Sequence, residues 1–283
     1  MATEYLGDSF DLHAGGEDLM FPHHENEIAQ SESASHKTFA RHWFHVRFLL
    51  VENRKMSKSE GNFYTLRDLL LRGYRPSAIR MLLISVPYRQ QLNFTFEGLA
   101  AETVAVERLR TFRDRIANTK WPERVDSASA SEIAQAAREA KSRFVAALAD
   151  DLNTAEARAA IFEMVRFVNA RADAGSFFAS DRAEVLDALR HFDRVFAVLE
   201  DHDEEWTRFT LQWAEREGRL DQAAPEVRAR LDLSDAQIQA LVDERQQAKR
   251  TRNFARADAI RNDLAAKGIL IEDSKDGARW KRR

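Results

Sequence analysis

Between residues 96 and 215 the sequence carries apolar side chains at spacings of three and four, with few glycines or prolines to interrupt them. Val104, Leu109 and Phe112 form one such series, Phe144, Ala147 and Leu148 a second, and Ile161, Met164, Val165 and Val168 a third. A stripe of that period has to be buried against other helices, so this stretch predicts an α-helical bundle rather than a sheet. Asp150-Asp-Leu-Asn-Thr-Ala-Glu156 reads as the end of one helix and the start of the next, capped by Asn153 or Thr154. Loops are expected around Trp121-Pro122 and across 173–180.

The flanks of the bundle have a different texture. In residues 1–95, Phe10–His13 and Phe44–Val51 read as short, largely buried strands of β-forming residues. Between them, a helix over Glu25–Ser33 is entered through Pro22 and the pair His23-His24. A further helix begins at Thr65, and Arg75-Pro-Ser77 leads into an apolar helix over Ala78–Ile84. This alternation suits part of an α/β sheet. On the other side, residues 216–233 are polar and contain Pro225, the pattern of a linker. After them come helices over Ser234–Thr251 and Phe254–Lys267, stopped by Gly268, and then a hairpin turning at Lys275-Asp-Gly277. The expected fold is therefore α/β, followed by a helical bundle and a small α+β tail module over 234–283.

Charge separates the tail from the rest. The formal net charge is −3, yet from Arg245 to Arg283 twelve Lys or Arg stand against five Asp or Glu, a local balance of +7 that leaves −10 elsewhere. A basic tail on an acidic body implies either an anionic partner, of which nucleic acid is the commonest, or only a solvated helix surface. Cysteine is absent, which excludes disulfides, thiol catalysis and a zinc site built on sulfur from this chain. No run of 18 apolar residues occurs, and the first residues lack the basic and apolar regions of a signal peptide. A cytoplasmic protein with no membrane partner is expected.

Four groups of residues carry chemistry. Lys55-Met56-Ser57-Lys58-Ser59, followed by Glu60-Gly61-Asn62, sets two lysines three apart in a loop of small residues. Such a loop either surrounds a polyphosphate with mobile positive charge or is simply exposed. Gly15, Gly16 and Asp18 form either a close backbone approach to a ligand or a tight turn after a strand. His23 and Glu27 stand four apart, on one helical face, as a metal pair or as an ordinary surface pair. Trp280, with Arg279, Lys281 and Arg282 around it, either stacks on nucleic-acid bases or plugs the hairpin.

The Lys55–Ser59 string matches the second signature of class I aminoacyl-tRNA synthetases, and other segments resemble the cysteinyl-tRNA synthetase family within that class. These are Asp11–Glu32, Gly61–Asp68, Tyr88-Arg89, Asp151–Glu156 and Gly277–Trp280, so the likeness runs from about residue 5 to the end. It implies that residues 1–95 are the second part of a Rossmann-like catalytic domain. It also implies that the bundle over 96–215 supports the inner side of a tRNA, and that 234–283 meets the anticodon. The implied reaction is activation of cysteine by ATP and its transfer to tRNA(Cys). Lys55 to Ser59 would serve the catalytic step, and Lys55, Lys58, Gly15, Gly16 and Asp18 would bind ATP. His23 and Glu27 would be two of four ligands of a Zn²⁺ ion that takes the substrate thiolate, since zinc favours soft sulfur over a hydroxyl. His13 and His24 either line the pocket or are packed structure. Trp43 and His45 match a strand edge near the adenine, while Arg47 stands where many members carry glycine. Arg279, Trp280 and Lys281 would contact tRNA. The family is often monomeric.

The family's first signature, of the His-x-Gly-His type, is not in this sequence, nor are the two cysteine ligands of its zinc site. Met1 aligns with the methionine of a Cys-Ser-x-Met string in relatives. A chain lacking the first half of the catalytic domain is expected, inactive in cysteine activation on its own. Two alternatives belong to other classes: a non-catalytic tRNA-binding module, and a ligase joining cysteine to an aminosugar in thiol biosynthesis. The basic tail argues against the latter.

Overall fold

The structure is a computed structural model and describes residues 2–123, 132–229, 235–274 and 277–282. After a short helix α1 (Ala2–Leu6), strand β1 (Phe10–Gly16) runs through two short helical turns, Glu17–Leu19 and Met20–His24, into α2 (Glu25–Ser35). Strand β2 (Ala40–Val46) follows, then the short β3 (Leu50–Val51) and β4 (Arg54–Lys55), α3 (Leu66–Leu71), α4 (Pro76–Leu83) and β5 (Asn93–Phe94). Long helices come next: α5 (Phe96–Asn118), α6 (Glu132–Ala149), α7 (Thr154–Asp173), α8 (Arg182–Phe196) and α9 (Asp203–Arg216). The chain ends with α10 (Pro225–Arg228), α11 (Asp235–Arg250), α12 (Phe254–Ala266), β6 (Ile269–Ser274) and β7 (Gly277–Arg282). The expected turn at Lys275 lies outside the described residues, as do the side chains of Lys281 and Arg282.

Backbone contacts divide the chain into two compact units. The first comprises Met1–Phe63 and Arg80–Glu200, the second Tyr64–Ile79 and Asp201–Arg283. In the first, β1 and β2 pair in parallel, with Phe10 opposite Ala40 and Gly16 opposite Val46. The single strand expected over Phe44–Val51 is in fact two. Arg47 N–H donates to the Tyr88 carbonyl, so the ladder of β2 ends and the chain peels away. Leu50 N–H and Glu52 N–H then donate to Leu92 and Phe94, placing β3 between β4 and β5.

The bundle core of this unit draws on α5 to α8: Leu109, Phe112, Phe144, Ile161, Met164, Val168, Leu189 and Phe192 are all buried. These include most of the residues that the three-and-four spacing picked out. Asn153, not Thr154, caps α7, its side chain accepting from Glu156 N–H at 3.1 Å. The end of α8 is closed by arginines from elsewhere. Arg80 donates to Phe196 O, Arg110 to Val198 O at 3.0 Å and Arg113 to Leu199 O at 2.6 Å. The Phe196 carbonyl, at the helix C-terminus, lacks an intrahelical donor and carries negative partial charge, and the Arg80 guanidinium answers both needs, while Arg110 and Arg113 hold the segment just beyond the helix.

Among the described residues of the second unit, two small cores form. Leu71, Leu211, Ala214, Ala223 and Val227 form one, with Ala224 N–H bonded to Leu71 O. Residues 216–233, which look like a linker, thus bury Ala223 and Val227. The apolar face of α3 needs a cover, and a four-residue helix with Pro225 in its first turn supplies it. Helix α3 itself begins in a capping box, Thr65 bonding Asp68 N–H while Asp68 bonds back to Thr65. The other core gathers Ile238, Val242, Ile260, Leu264, Ile269 and Ile271 from α11, α12 and the terminal hairpin.

Candidate functional site

Residues 54–63 form a closed loop after the β3–β4 hairpin. Gly61 holds φ +68°, a left-handed conformation that reverses the chain, and its N–H reaches Lys58 O. The reversal brings Asn62 back under the start of the loop. There its side chain accepts from Ser57 N–H at 2.8 Å and donates to Lys55 O at 3.0 Å. Ser57 and Ser59 share a hydroxyl hydrogen bond of 2.7 Å. Lys55 Nζ lies over the Phe48 ring and Lys58 Nζ over Phe63, 5.8 and 5.4 Å from the ring centres. Two ammonium groups therefore stand on a braced backbone, each against an apolar face that leaves its charge available to an anion.

A second cluster forms where β1, β2 and α2 meet. His13 Nε2 is 2.8 Å from Glu27 Oε2, and His23 Nε2 is 3.6 Å from the other oxygen of the same carboxylate. His24 is buried, 2.8 Å from His45 through its Nδ1. Trp43 stacks on His13 and on His45, with centroids 4.6 and 5.9 Å apart. Burial, reinforced by the charges that His13 and His45 would carry, holds His24 below the ordinary imidazole value. It is neutral at neutral pH, with a lone pair to offer. Among the described residues, His13, His24 and Glu27 bring ligand atoms within 4.8 Å of one another. This group includes Glu27, which the resemblance implied as a ligand, and two histidines that it left between pocket and packing. His23, the other expected ligand, sits at its more exposed edge.

Gly15 and Gly16 do not form a turn after the strand. Both lie inside β1, paired with His45 and Val46. A Cβ on Gly15 would come within 2.6 Å of the His24 ring, and one on Gly16 would meet the Asp18 carboxylate. Asp18 itself is exposed in the turn that follows. At Gly15 a packed histidine, rather than chain reversal, requires the missing side chain. Arg47 pairs with Glu17 at 3.0 Å.

Two matched segments far apart in sequence meet at one carboxylate. Tyr88 Oη donates to Asp151 Oδ1 at 2.6 Å and Arg89 Nε to Oδ2 at 2.5 Å. The Arg89 hydrogen bond and then that of Tyr88 hold the Asp151 carboxyl below its usual range. Tyr88 also stacks on Phe44 of β2, at 4.1 Å between centroids, so this joint ties β2 to the α6–α7 turn.

In the tail, Trp280 packs against the small core and donates its Nε1–H to Gln239 at 2.9 Å. That is the geometry of a plug. Arg279 is exposed on the same strand. The aromatic ring left most open in this module is Phe254, 61% exposed at the start of α12. Arg252 and Arg256 flank it in sequence. From sequence it served only to start a helix, although an aromatic between arginines in a basic tail is itself a signal for base stacking.

Residues 1–104 match the family of class I (C) tRNA synthetase catalytic domains, 143–200 the DALR domain, and 232–280 the cysteinyl-tRNA ligase anticodon binding domain. Over its full length the chain is 52% identical to the cysteine–tRNA ligase of Koribacter versatilis and 47% identical to that of Solibacter usitatus. Along its whole length the chain resembles cysteine–tRNA ligases. It covers 57% and 54% of those two relatives, and so spans about half the length of the ligases it matches, their carboxy-terminal portion. Among solved structures, the agnB2 LeuRS of Agrobacterium radiobacter K84, in a ternary complex with tRNA and LeuAMS, aligns with 71% of the chain and 27% of its own. At 18% identity and a TM-score of 0.51, this likeness shows the fold alone, and the family matches give a class I catalytic domain followed by a helical DALR domain. No described helix is long and apolar enough to cross a membrane.

Proposed function

We propose that this chain supplies the phosphate loop, part of the zinc site and the tRNA-binding domains of a cysteine–tRNA ligase. The observation that carries the reading is the braced loop, which presents Lys55 and Lys58 from one backbone fixed by Asn62 and Gly61. In the reaction, the cysteine carboxylate attacks the α-phosphate of ATP, and the bond to pyrophosphate breaks. Lys55 and Lys58 meet the charge that builds on the leaving pyrophosphate, where preorganised cations act most strongly. The terminal ribose hydroxyl of tRNA(Cys) then attacks the adenylate carbonyl and releases AMP. Met56, Ser57 and Ser59 belong to this loop as spacers and hydroxyl donors, while Gly15, Gly16 and Asp18 border the nucleotide side of β1.

The His13, His24 and Glu27 cluster, with His23 at its exposed edge, fits a divalent ion, since imidazole nitrogens gather around one carboxylate. When bound, Zn²⁺ would supply a soft acceptor for the substrate sulfur and so separate cysteine from serine. His23 and Glu27 would hold it directly. Glu27 also accepts from His13, which fixes the carboxylate, and the buried His24 packs on that side against the half-buried rings of Trp43 and His45. The bundle and the basic tail, with Arg279, Lys281 and Phe254, would take the tRNA. The protein would act in the cytoplasm, as a monomer.

Cysteine-dependent ATP–pyrophosphate exchange by the ligase that holds this chain tests the proposal. Exchange should fall by about a hundredfold or more in Lys58→Ala, the scale of losing one preorganised donor to the transition state. Salt-sensitive tRNA(Cys) binding with no exchange would instead favour a non-catalytic tRNA-binding module. The anticodon-binding match over 232–280 weighs against the aminosugar ligase.

A further inference from the structure

Asn62 is among the few polar side chains of the first unit that are almost wholly enclosed, with 6% of its surface exposed. Nothing in the proposed chemistry uses it. Its carboxamide spans the two backbone groups on either side of Met56, the Lys55 carbonyl and the Ser57 amide. One side chain thus does for this loop what a neighbouring strand does for a ladder, donating and accepting across a single peptide step. The geometry is specific to asparagine. Aspartate keeps the acceptor but has no hydrogen to give Lys55 O, serine is too short to span both groups, and glutamine carries an extra methylene into an enclosed space.

The rest of the loop is built to bring Asn62 there. Gly61 at φ +68° turns the chain through a conformation that a side chain would strain, and its open surroundings show that backbone angle rather than crowding is the constraint. The Gly61 N–H to Lys58 O bond and the Ser57–Ser59 hydroxyl bond close the upper part. Every residue that could meet a phosphate therefore hangs from a ring closed at its base by Asn62.

We infer that Asn62 is a positioning residue: it fixes the backbone of 55–58 so that Lys55 and Lys58 present their ammonium groups together. This rests on the reading of that loop as the phosphate loop. A lysine pair on a floppy segment pays an ordering cost each time it binds, whereas a braced one does not. The effect of Asn62 should therefore appear in anion affinity and local order, with little change in global stability.

The test is binding of inorganic pyrophosphate to the full 283-residue chain, followed by amide chemical shifts, with amide hydrogen exchange and thermal unfolding measured alongside. Wild type is expected to bind with shifts centred on Ser57 and Lys58, and Lys58→Ala to abolish them. Asn62→Ala should weaken binding about tenfold or more, the loss expected when two hydrogen bonds no longer preorganise the site. Exchange at Met56 to Lys58 should quicken while the unfolding temperature holds. Asn62→Asp, which still anchors Ser57, should fall between the two. If Asn62→Ala does not fold, Asn62→Asp carries the comparison. A folded Asn62 variant that binds pyrophosphate as wild type does overturns the inference alone. A wild-type chain that does not bind, or a Lys58→Ala chain that binds equally, overturns the phosphate-loop reading and this inference with it.

Discussion

Replacing Gly15 by alanine separates two explanations for a glycine beside a candidate active site. If it is there for backbone freedom or ligand approach, alanine should leave the unliganded fold intact, because Gly15 lies in a regular strand. If it is there for His24, the added Cβ meets the ring at 2.6 Å, about 0.8 Å inside ordinary contact distance. His24 has little room to yield. It is 3% exposed, bonded to His45, and faces His13 and Trp43 with ring centres 4.7 and 5.0 Å away. Overpacking of this kind costs about 1–3 kcal/mol. Urea unfolding followed by circular dichroism should thus shift to lower denaturant, and the tryptophan emission of the folded protein should change as the ring of Trp43, one of five tryptophans, is displaced. In a His24→Ala background the same substitution should cost markedly less, since the atom it strikes is gone. An unchanged midpoint and spectrum for Gly15→Ala would refute the packing argument.

Other outcomes follow from contacts within each unit. Asp203 is buried and accepts from both the amide and the hydroxyl of Ser77 at 2.9 and 2.6 Å, capping α4 from 126 residues away. Asp203→Ala should cost about 2–4 kcal/mol in chemical unfolding, as two charge-assisted bonds are lost. The Asp151 carboxyl is held below its usual range by Arg89 and Tyr88, so its contribution to stability is present above the ordinary carboxylate value and fades as pH falls through the lowered one. A carboxyl titration by NMR should show this, and Arg89→Ala should bring Asp151 back up. Trp280→Ala should destabilise the tail module by roughly 2 kcal/mol, less than full burial would give. Phe254→Ala should leave stability unchanged within about 0.5 kcal/mol, as an exposed position does, yet weaken tRNA(Cys) binding in filter or fluorescence assays.

Much of this protein was legible from local pattern. The three-and-four spacing identified the bundle because helical period alone decides which residues share a face. The Lys55–Ser59 string, with the segments around it, pointed to the family, and the cap of α7 could be narrowed to Asn153 or Thr154 because capping is settled within three residues. Charge counting found the basic tail. None of these depends on what lies across the core.

Tertiary structure decided the partners. The sequence contains Gly15 and His24 but not their contact, which exists only because α2 folds back over β1. Tyr88 and Arg89 were matched as one segment and Asp151 as another, yet the carboxylate joining them is more than sixty residues away. Residues 216–233 read as a polar linker, and only the uncovered face of α3 explains why Ala223 and Val227 are buried. Periodicity tells which face of an element is apolar; it does not say which element will cover it. That choice is made by packing between distant segments, and with it the choice of which histidine is enclosed, which tryptophan is a plug and which asparagine closes the loop.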